Sequence, residues 1–226
     1  MTETFETVTF EPIDAEAFSL DPDVRVIVAG YTGRDEAQVR HHIEELAAIG
    51  VAPPAEVPMV YPMPTGLLTT ATEFPIAGDN TSGEVEPVYI RHHGQWYLGV
   101  GSDHTDRTLE TVDIGDSKRA CPKPVGQQVT RITDWAGFDF DACQAASTVD
   151  GVVYQGGSLS GLRRPEALID VLVGRDPSLV SGDLVVFGGT LPLLHGTFVA
   201  GAVWTLGITL PEGIELTHTY AVTGEN

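Results

Sequence analysis

The stretch GEVEPVYI carries two glutamates, at positions 84 and 86, beside β-branched and aromatic residues that predict a strand. Side chains two residues apart in a strand point to the same face, so Glu84 and Glu86 would lie side by side. Like charges about 6–7 Å apart on a strand face raise each other's pKa unless a cation compensates them. The pair therefore indicates a site for a hard divalent ion such as Mg²⁺, which prefers oxygen ligands.

A third carboxylate would complete a three-acid face for such an ion. The stretch GVGSDHTDR turns after a glycine-bounded strand and provides Asp103, with Asp106 three residues later. Spacing alone does not establish a metal site, because a Glu-x-Glu pair on an exposed strand is more often solvated charge. The surrounding elements and motifs decide between the two interpretations.

The elements around these residues are mostly strands. Short apolar runs bounded by turn residues predict strands over residues 24–30, 84–90, 95–101, 138–149, 152–155 and 184–187. The tight-turn pairs His93-Gly94 and Asp150-Gly151 connect four of them as two hairpins. Five prolines between residues 51 and 64 exclude a helix there and predict an extended segment.

Two helices are expected beside the strands. Apolar residues at helical spacing after the first strand predict one of them, with Thr32 as its cap and Gly50 as its stop. Proline at the first position and glycine after the end predict the other over residues 165–173. The sequence thus predicts an α+β, mostly β fold, with an N-terminal strand and helix portion in residues 1–60 and a β-rich unit in residues 61–226.

The composition limits the partners of the chain. Its 226 residues include 32 acidic and 12 basic ones, for a net charge of −20. This charge repels phosphate backbones and anionic lipids, so we expect no nucleic acid and no membrane as partner, and small molecules are favoured. No signal-peptide pattern or long apolar run is present, which favours a cytoplasmic protein. The two cysteines are expected to be free thiols, with Cys121 packed and unreactive.

Four motifs resemble, in type and order, the catalytic domain of the fumarylacetoacetate hydrolase superfamily. They are the Glu-x-Glu pair at 84 and 86, the Asp-x-Thr-x-Arg segment 103–107, the element Cys121-Pro122, and Gly182-Asp183 with Gly188. The resemblance implies a mixed β-sheet or β-roll fold with a short helical N-terminal lid, and a homodimer.

The lid is identified by the segment RHHIEELAAIG, which resembles the superfamily's His-x-x-Glu pattern in two registers, His42 with Glu45 or His41 with Glu44. Helical geometry favours the first register, because His42 flanks the apolar stripe whereas His41 and Glu44 point away from it. Tyr61 matches an aromatic residue of the proline-rich stretch that follows the lid.

The resemblance implies a metal-dependent reaction on a 2-oxo acid or 1,3-dicarbonyl compound. Mg²⁺ or Mn²⁺ would be held by Glu84, Glu86 and Asp103 and would stabilise an enolate leaving group, so that a carbon–carbon bond can be hydrolysed. His42 would deprotonate the attacking water and Glu45 would orient the imidazole. The residues expected to meet the substrate are Arg107, Lys118, Gly189, Thr190 and Tyr61.

Three functions stay open at this point. The first is the carbon–carbon hydrolase, and the second is a 2-oxo acid decarboxylase, hydratase or isomerase with the same metal site. The third is a relative that binds a small acid without turning it over. The lid pair favours the first. Arg107 is as consistent with an ion pair to Asp103 or Asp106 as with a substrate contact, and the histidines at 92, 93, 104 and 195 are expected at the surface or behind the site.

Overall fold

The computed structural model of the chain describes residues 7–48 and 53–224, without the side chains of His42 and of residues 45–48. With 42% strand and 20% helix, the mostly β, α+β prediction is confirmed. The strands are β1 (Thr9–Pro12), β2 (Phe18–Ser19), β3 (Arg25–Gly30), β4 (Met59–Met63), β5 (Leu68–Thr69), β6 (Glu73–Ile76), β7 (Thr81–Ser82), β8 (Val85–His92), β9 (Gln95–Ser102), β10 (Thr105–Asp106), β11 (Lys123–Pro124), β12 (Gln128–Ile132), β13 (Gln144–Val149), β14 (Val152–Ser158), β15 (Leu184–Phe187), β16 (Val203–Thr209) and β17 (Glu215–Gly224). The helices are α1 (Glu36–Ala48), α2 (Arg107–Glu110), α3 (Ile114–Arg119) and α4 (Pro165–Arg175).

The larger sheet has eight strands in the order β2-β1-β12-β9-β8-β15-β3-β4. Its centre is apolar: β15 reads Leu-Val-Val-Phe, all four residues are buried, and it runs parallel to β3 and antiparallel to β8. A run of apolar residues without polar alternation is typical of a strand that is covered on both faces. The strand predicted over residues 24–30 is confirmed as β3, an interior strand of this sheet.

The second sheet has five strands in the order β14-β13-β16-β17-β6. Its strands alternate, as expected for a sheet with one solvated face: in β16, Trp204, Leu206 and Ile208 are buried and the residues between them are not. These inward residues belong to the same core as Tyr89 and Leu98 of the larger sheet. The two sheets therefore close on one apolar interior.

The first predicted hairpin is confirmed. β8 and β9 pair antiparallel from Val85 opposite Ser102 to His92 opposite Gln95. The turn His93-Gly94 has φ angles of 47° and 79°, the left-handed values that a two-residue hairpin turn requires.

The second hairpin joins β13 to β14 around Asp150-Gly151. Its first strand begins at Gln144, so the prediction of a strand from Phe138 was wrong at its start. Residues 140–142 form a 3₁₀ turn instead, because the Asp139 side chain accepts the backbone N–H of Ala142 and competes with extended pairing.

Helix α1 lies where it was predicted, but its cap is Asp35 and not Thr32. The Asp35 carboxylate accepts the backbone N–H groups of Ala37 and Gln38, which is the contact that defines an N-cap. Thr32 is buried instead. Gly50, the predicted stop of the helix, lies outside the described residues.

The N-terminal portion shares the larger sheet with the rest of the chain. β1 pairs parallel with β12, and β3 lies between β15 and β4. A boundary near residue 60 stays a prediction.

The second predicted helix is α4, which continues to Arg175. Within residues 7–48 and 53–224, no helix combines the length and the apolar character needed to span a membrane.

Asp183, the acid of the predicted Gly182-Asp183 element, ties the turn of the β8–β9 hairpin to the N-terminal strands. It is buried, and its Oδ2 accepts the backbone N–H of Asp21 at 2.8 Å and lies 2.8 Å from Nδ1 of His92. The backbone N–H of His93 donates to Oδ1 at 3.4 Å. One buried carboxylate therefore joins its own segment to two others, at Asp21 and at the hairpin turn.

We expect Asp183→Ala to lower the free energy of unfolding by about 1–3 kcal/mol, because it leaves part-buried donors without their acceptor. Urea unfolding followed by circular dichroism measures the change. Asp170→Ala, at an exposed position of α4, is the control and should change stability by less than about 0.5 kcal/mol. Equal effects of the two substitutions would show that Asp183 does not hold the segments together.

Candidate functional site

The β8–β9 hairpin brings the predicted acids together at its open end. Glu84 immediately precedes β8, Glu86 lies within it, and Asp103 immediately follows β9. The backbone N–H of Asp103 donates to the carbonyl of Glu84 at 3.2 Å. Because the two strands are antiparallel, a two-residue turn is enough to place Asp103 opposite the Glu-x-Glu pair.

All three carboxylates are shielded from solvent. Glu86 and Asp103 are 2% and 0% exposed, and the side chain of Glu84 is 13% exposed. One oxygen of each is held by a neighbour: Oε2 of Glu84 by Arg107 at 3.2 Å, Oε2 of Glu86 by the backbone N–H of Gly189 at 2.9 Å, and Oδ2 of Asp103 by Lys118. In the part of the chain that the structure describes, no hydrogen bond ends on the second oxygen of any of the three.

Asp103 is paired with both lysines of the chain. Lys118 binds Oδ2, and Nζ of Lys123 lies 3.3 Å from Oδ1. Lys123 is wholly buried and donates to the carbonyls of His104 at 2.6 Å, Cys121 at 3.2 Å and Lys118. An ammonium has three donors. The carbonyls use all of them, so Oδ1 of Asp103 is buried without a hydrogen-bond donor.

Burial raises the pKa of both glutamates. In Glu84 the loss of hydration outweighs the attraction of nearby cations, and in Glu86 the charge of Asp103 adds to the loss of hydration. Burial acts on Asp103 in the same direction, but the charges of Lys118 and Lys123 more than offset it and lower its pKa. Asp103 is therefore the most firmly ionised of the three acids.

Lys118 joins the acids to Tyr61. Burial opposes the charge of this lysine, but Asp103, Glu84 and Glu86 outweigh burial and raise its pKa. Its Nζ lies 5.5 Å from the ring centroid of Tyr61, within cation–π range. Burial raises the pKa of Tyr61 to about 12. Near neutral pH the site therefore contains an ammonium beside an un-ionised phenol.

The three acids offer oxygen atoms of the type that a divalent cation binds. Within residues 7–48 and 53–224, no three His, Cys, Asp or Glu side chains form a ready-made metal-ligand group. Each of Glu84, Glu86 and Asp103 nevertheless keeps one oxygen without a donor, and that of Asp103 is fully buried. A buried acceptor without a partner is costly. Hard oxygen atoms of this kind are the ligands that Mg²⁺ and Mn²⁺ prefer.

Residues 29–220 match the family described as proteins of unknown function, DUF2848. The chain belongs to the DUF2848 family. No curated protein matches it.

Solved structures share the fold of this DUF2848 protein. A proposed fumarylpyruvate hydrolase from Burkholderia cenocepacia is 16% identical, with a TM-score of 0.65 over 99% of this chain and 94% of its own. A proposed fumarylacetoacetate isomerase/hydrolase from Oleispira antarctica is 14% identical, with a TM-score of 0.64 over 95% and 99%. The 5-carboxymethyl-2-hydroxymuconate delta-isomerase from Mycobacterium smegmatis is 21% identical, with a TM-score of 0.59 over 89% and 79%. The resemblance to the fumarylacetoacetate hydrolase superfamily is thus confirmed at the level of the fold.

Arg107 forms an ion pair with Glu84. Besides this ion pair, its guanidinium donates to Glu110 at 2.9 Å and to Oγ of Ser82 at 2.6 Å. The ring of Phe198 covers it, with 3.6 Å between the guanidinium carbon and the ring centroid. Arg107 therefore holds a candidate ligand residue in this DUF2848 protein, and a contact with substrate stays a prediction.

Two polar neighbours of the site have structural partners. Asp106, the alternative acid of the sequence, is not the ion-pair partner of Arg107 but caps α2, accepting the backbone N–H groups of Thr108 and Leu109. His104 is buried, with Nδ1 2.9 Å from the hydroxyl of Tyr220 and Nε2 hydrogen-bonded to Thr81. Burial lowers the pKa of His104 to about 3, so it is neutral and lies behind the acids, not at the surface.

The segment after β15 closes the site behind Glu86. Gly189 supplies the N–H that Glu86 accepts. The hydroxyl of Thr190 donates to the carbonyl of Val85 at 2.9 Å and accepts from Nε2 of Gln155 at 2.8 Å. Gly189 and Thr190 therefore hold β8 in place, and substrate binding by them stays a prediction.

The predicted lid pair His42 and Glu45 belongs to α1, but both side chains lie outside the described residues. The turn before α1 is close to the site, because Thr32 lies against Gly189, whose backbone N–H donates to Glu86. Tyr31 has a left-handed φ of 56°, which is unfavourable for a bulky residue. Strained backbone angles of this kind occur most often near functional sites.

Sequence reasoning missed Lys123 and Gln155. Gln155 is fully buried and accepts the backbone N–H of Val85 at 2.9 Å, and no pattern in the sequence marks it. Lys123 had a usable signal, because the chain has only two lysines and both flank Cys121. The expectation that Cys121 is packed is confirmed, because it is buried. Burial raises the pKa of its thiol to about 11, and its low reactivity stays a prediction.

We expect Gly189→Ala to destabilise the fold by about 3 kcal/mol. Gly189 has a φ of +100°, and a Cβ there would collide with Oγ1 of Thr32. Gly196→Ala is the matched control, because Gly196 also has a positive φ, +67°, but a Cβ would meet nothing within 4 Å. It should cost about 1 kcal/mol. Thermal unfolding measures both, and equal losses would mean that contact with Thr32 does not matter.

Proposed function

We propose that this DUF2848 protein is a divalent-metal-dependent enzyme that hydrolyses a carbon–carbon bond in an acylpyruvate-like or other 1,3-dicarbonyl substrate. The observation that carries the proposal is the group of three shielded carboxylates, each with one oxygen that accepts no hydrogen bond from a described residue. Mg²⁺ or Mn²⁺ would be held by Glu84, Glu86 and Asp103. When bound, the ion supplies a Lewis acid that polarises the keto group of the substrate.

The charges around the acids favour an anionic substrate. The three acids lie beside three cations, Arg107, Lys118 and Lys123. Their negative charge is therefore already neutralised before a divalent ion binds. With the ion present the site is positive, which attracts the carboxylate of a 2-oxo acid. Lys118 is suited to meet that carboxylate, because it lies between Asp103 and the ring of Tyr61.

The hydrolytic step depends on the lid. His42 would take a proton from the water that attacks the second carbonyl, and Glu45 would orient the imidazole and stabilise its charged form. For an acylpyruvate, the water oxygen joins the acyl carbon, the bond to the methylene carbon breaks, and that carbon receives a proton. The products are a carboxylic acid and pyruvate.

A second chemistry uses the same acids. The solved structures with this fold include a protein described as an isomerase as well as one described as a hydrolase. A 2-oxo acid decarboxylase, hydratase or isomerase would need the metal and Lys118 but not the lid pair. We further propose that the protein works in the cytoplasm as a homodimer on a small molecule. No nucleic acid or membrane is expected as partner, because the net charge of −20 repels phosphate backbones and anionic lipids.

Mn²⁺ should bind at one site, and the double variant Glu84→Gln, Glu86→Gln should abolish that binding in calorimetric titration. Glu73→Gln with Glu215→Gln, at two exposed positions, is the matched control and should bind normally. Because burial raises the pKa of Glu84 and Glu86, protons compete with the ion. Mn²⁺ affinity should therefore fall as the pH drops through these raised values. Undiminished binding by the double variant contradicts the assignment of the ligands.

Turnover of acylpyruvates in the presence of Mg²⁺ or Mn²⁺ should yield pyruvate and the matching acid, identified by mass spectrometry. His42→Ala should lower kcat by about 10²–10⁴-fold, with Mn²⁺ binding unchanged. His41→Ala is the control, because it removes the neighbouring histidine of the other lid register. Decarboxylation of oxaloacetate without acylpyruvate cleavage would favour the second chemistry, and Mn²⁺ binding without any turnover would leave only a small-acid-binding protein.

A further inference from the structure

The chain has two lysines in 226 residues, and both converge on Asp103. Lys118 already pairs with Oδ2, so Lys123 is not needed to neutralise that oxygen. Lys123 is also wholly buried, and a buried ammonium is costly unless its donors are satisfied. A chain that takes its other ten positive charges from arginine thus has a compact ammonium at two interior positions, both beside Asp103.

The ammonium of Lys123 joins three parts of the site through backbone carbonyls. It donates to His104, which follows Asp103, to Lys118, which is the partner of Asp103, and to Cys121, just beyond α3. One side chain therefore ties the segment that carries the acid to the segment that carries its cation.

The strand that carries Lys123 is itself fixed. β11 pairs parallel with β5, and Val125, next to β11, bridges Gly101 of β9. From this anchored position the ammonium lies 3.3 Å from Oδ1 of Asp103 and gives it no hydrogen bond. Its charge acts on Oδ1 while the lone pairs of that oxygen remain available.

We propose that Lys123 is a positioning residue for the metal centre. Its three hydrogen bonds fix the backbone at residues 104, 118 and 121, so that Asp103 presents to the divalent ion an Oδ1 that accepts no hydrogen bond. The proposal rests on the proposed function, because it concerns the ion that this function requires.

The test is Mn²⁺ binding by Lys123→Met, followed by calorimetry and by the electron paramagnetic resonance spectrum of the bound ion. Arg91→Met is the matched control: Arg91 is also a buried cation that donates to two carbonyls, those of Leu179 and Gly182, near the opposite end of β8. Lys123→Met should weaken Mn²⁺ binding by about 10–100-fold and alter the spectrum. Arg91→Met should leave affinity and spectrum unchanged, whatever its effect on stability.

Unchanged affinity in Lys123→Met overturns the proposal, and so does tighter binding, which would show that Lys123 only repels the ion. If Lys123→Met does not fold, Lys123→Gln retains two donors and replaces it.

Nuclear magnetic resonance of the wild-type protein with isotopically labelled lysine is a further check, because only two side-chain signals can arise. Mg²⁺ should shift the Lys123 signal, and an unshifted signal also overturns the proposal. Wild-type protein that binds no Mn²⁺ refutes the proposed function instead.

Discussion

The buried charge of Asp103 is the constraint on which the site depends. An ionised carboxylate with no exposed surface has to be compensated within the fold. Lys118 and Lys123 provide that compensation, and Arg107 does the same for Glu84. With these pairs formed, one oxygen of each acid still accepts no hydrogen bond from a described residue. The chemistry that we propose uses only these remaining oxygens, so it depends on how completely the others are occupied.

Strand geometry determines which acids meet. The β8–β9 hairpin has a fixed register, and a shift of one residue would turn Glu84 and Glu86 to the other face of the sheet. The turn at His93-Gly94 sets this register at one end, and the partners of Asp183 hold the same end against the N-terminal strands. The positions of the acids are therefore a property of the whole sheet.

Much of this could be predicted from local patterns. The His93-Gly94 turn and the apolar run of β15 each depend on neighbours in sequence, and both predictions are confirmed. The strand that carries Glu86 was also predicted, although it begins at Val85, one residue after Glu84. Contacts between residues that are distant in sequence could not be predicted from local patterns. Nothing local shows that Gly189 donates to Glu86 or that Lys123 reaches three carbonyls.

The choice of a helix cap shows the same limit. Thr32 and Asp35 are both good caps by residue type, and the sequence offers no way to rank them. The fold decides between them, because Thr32 packs against Gly189 and is buried, which leaves Asp35 to cap α1. A tertiary contact thus overrides a local preference.

The burial of both lysines also governs how the protein reacts with amine-directed reagents. Such reagents attack an accessible, unprotonated amine, whereas Lys123 is 0% and Lys118 only 7% exposed, and the acids raise the pKa of Lys118. Neither ε-amino group is therefore open to acylation while the fold is closed. Acylation of either lysine requires that its ion pair with Asp103 is broken. Because the chain has only these two lysines, the rate of lysine acylation reports how often the site opens.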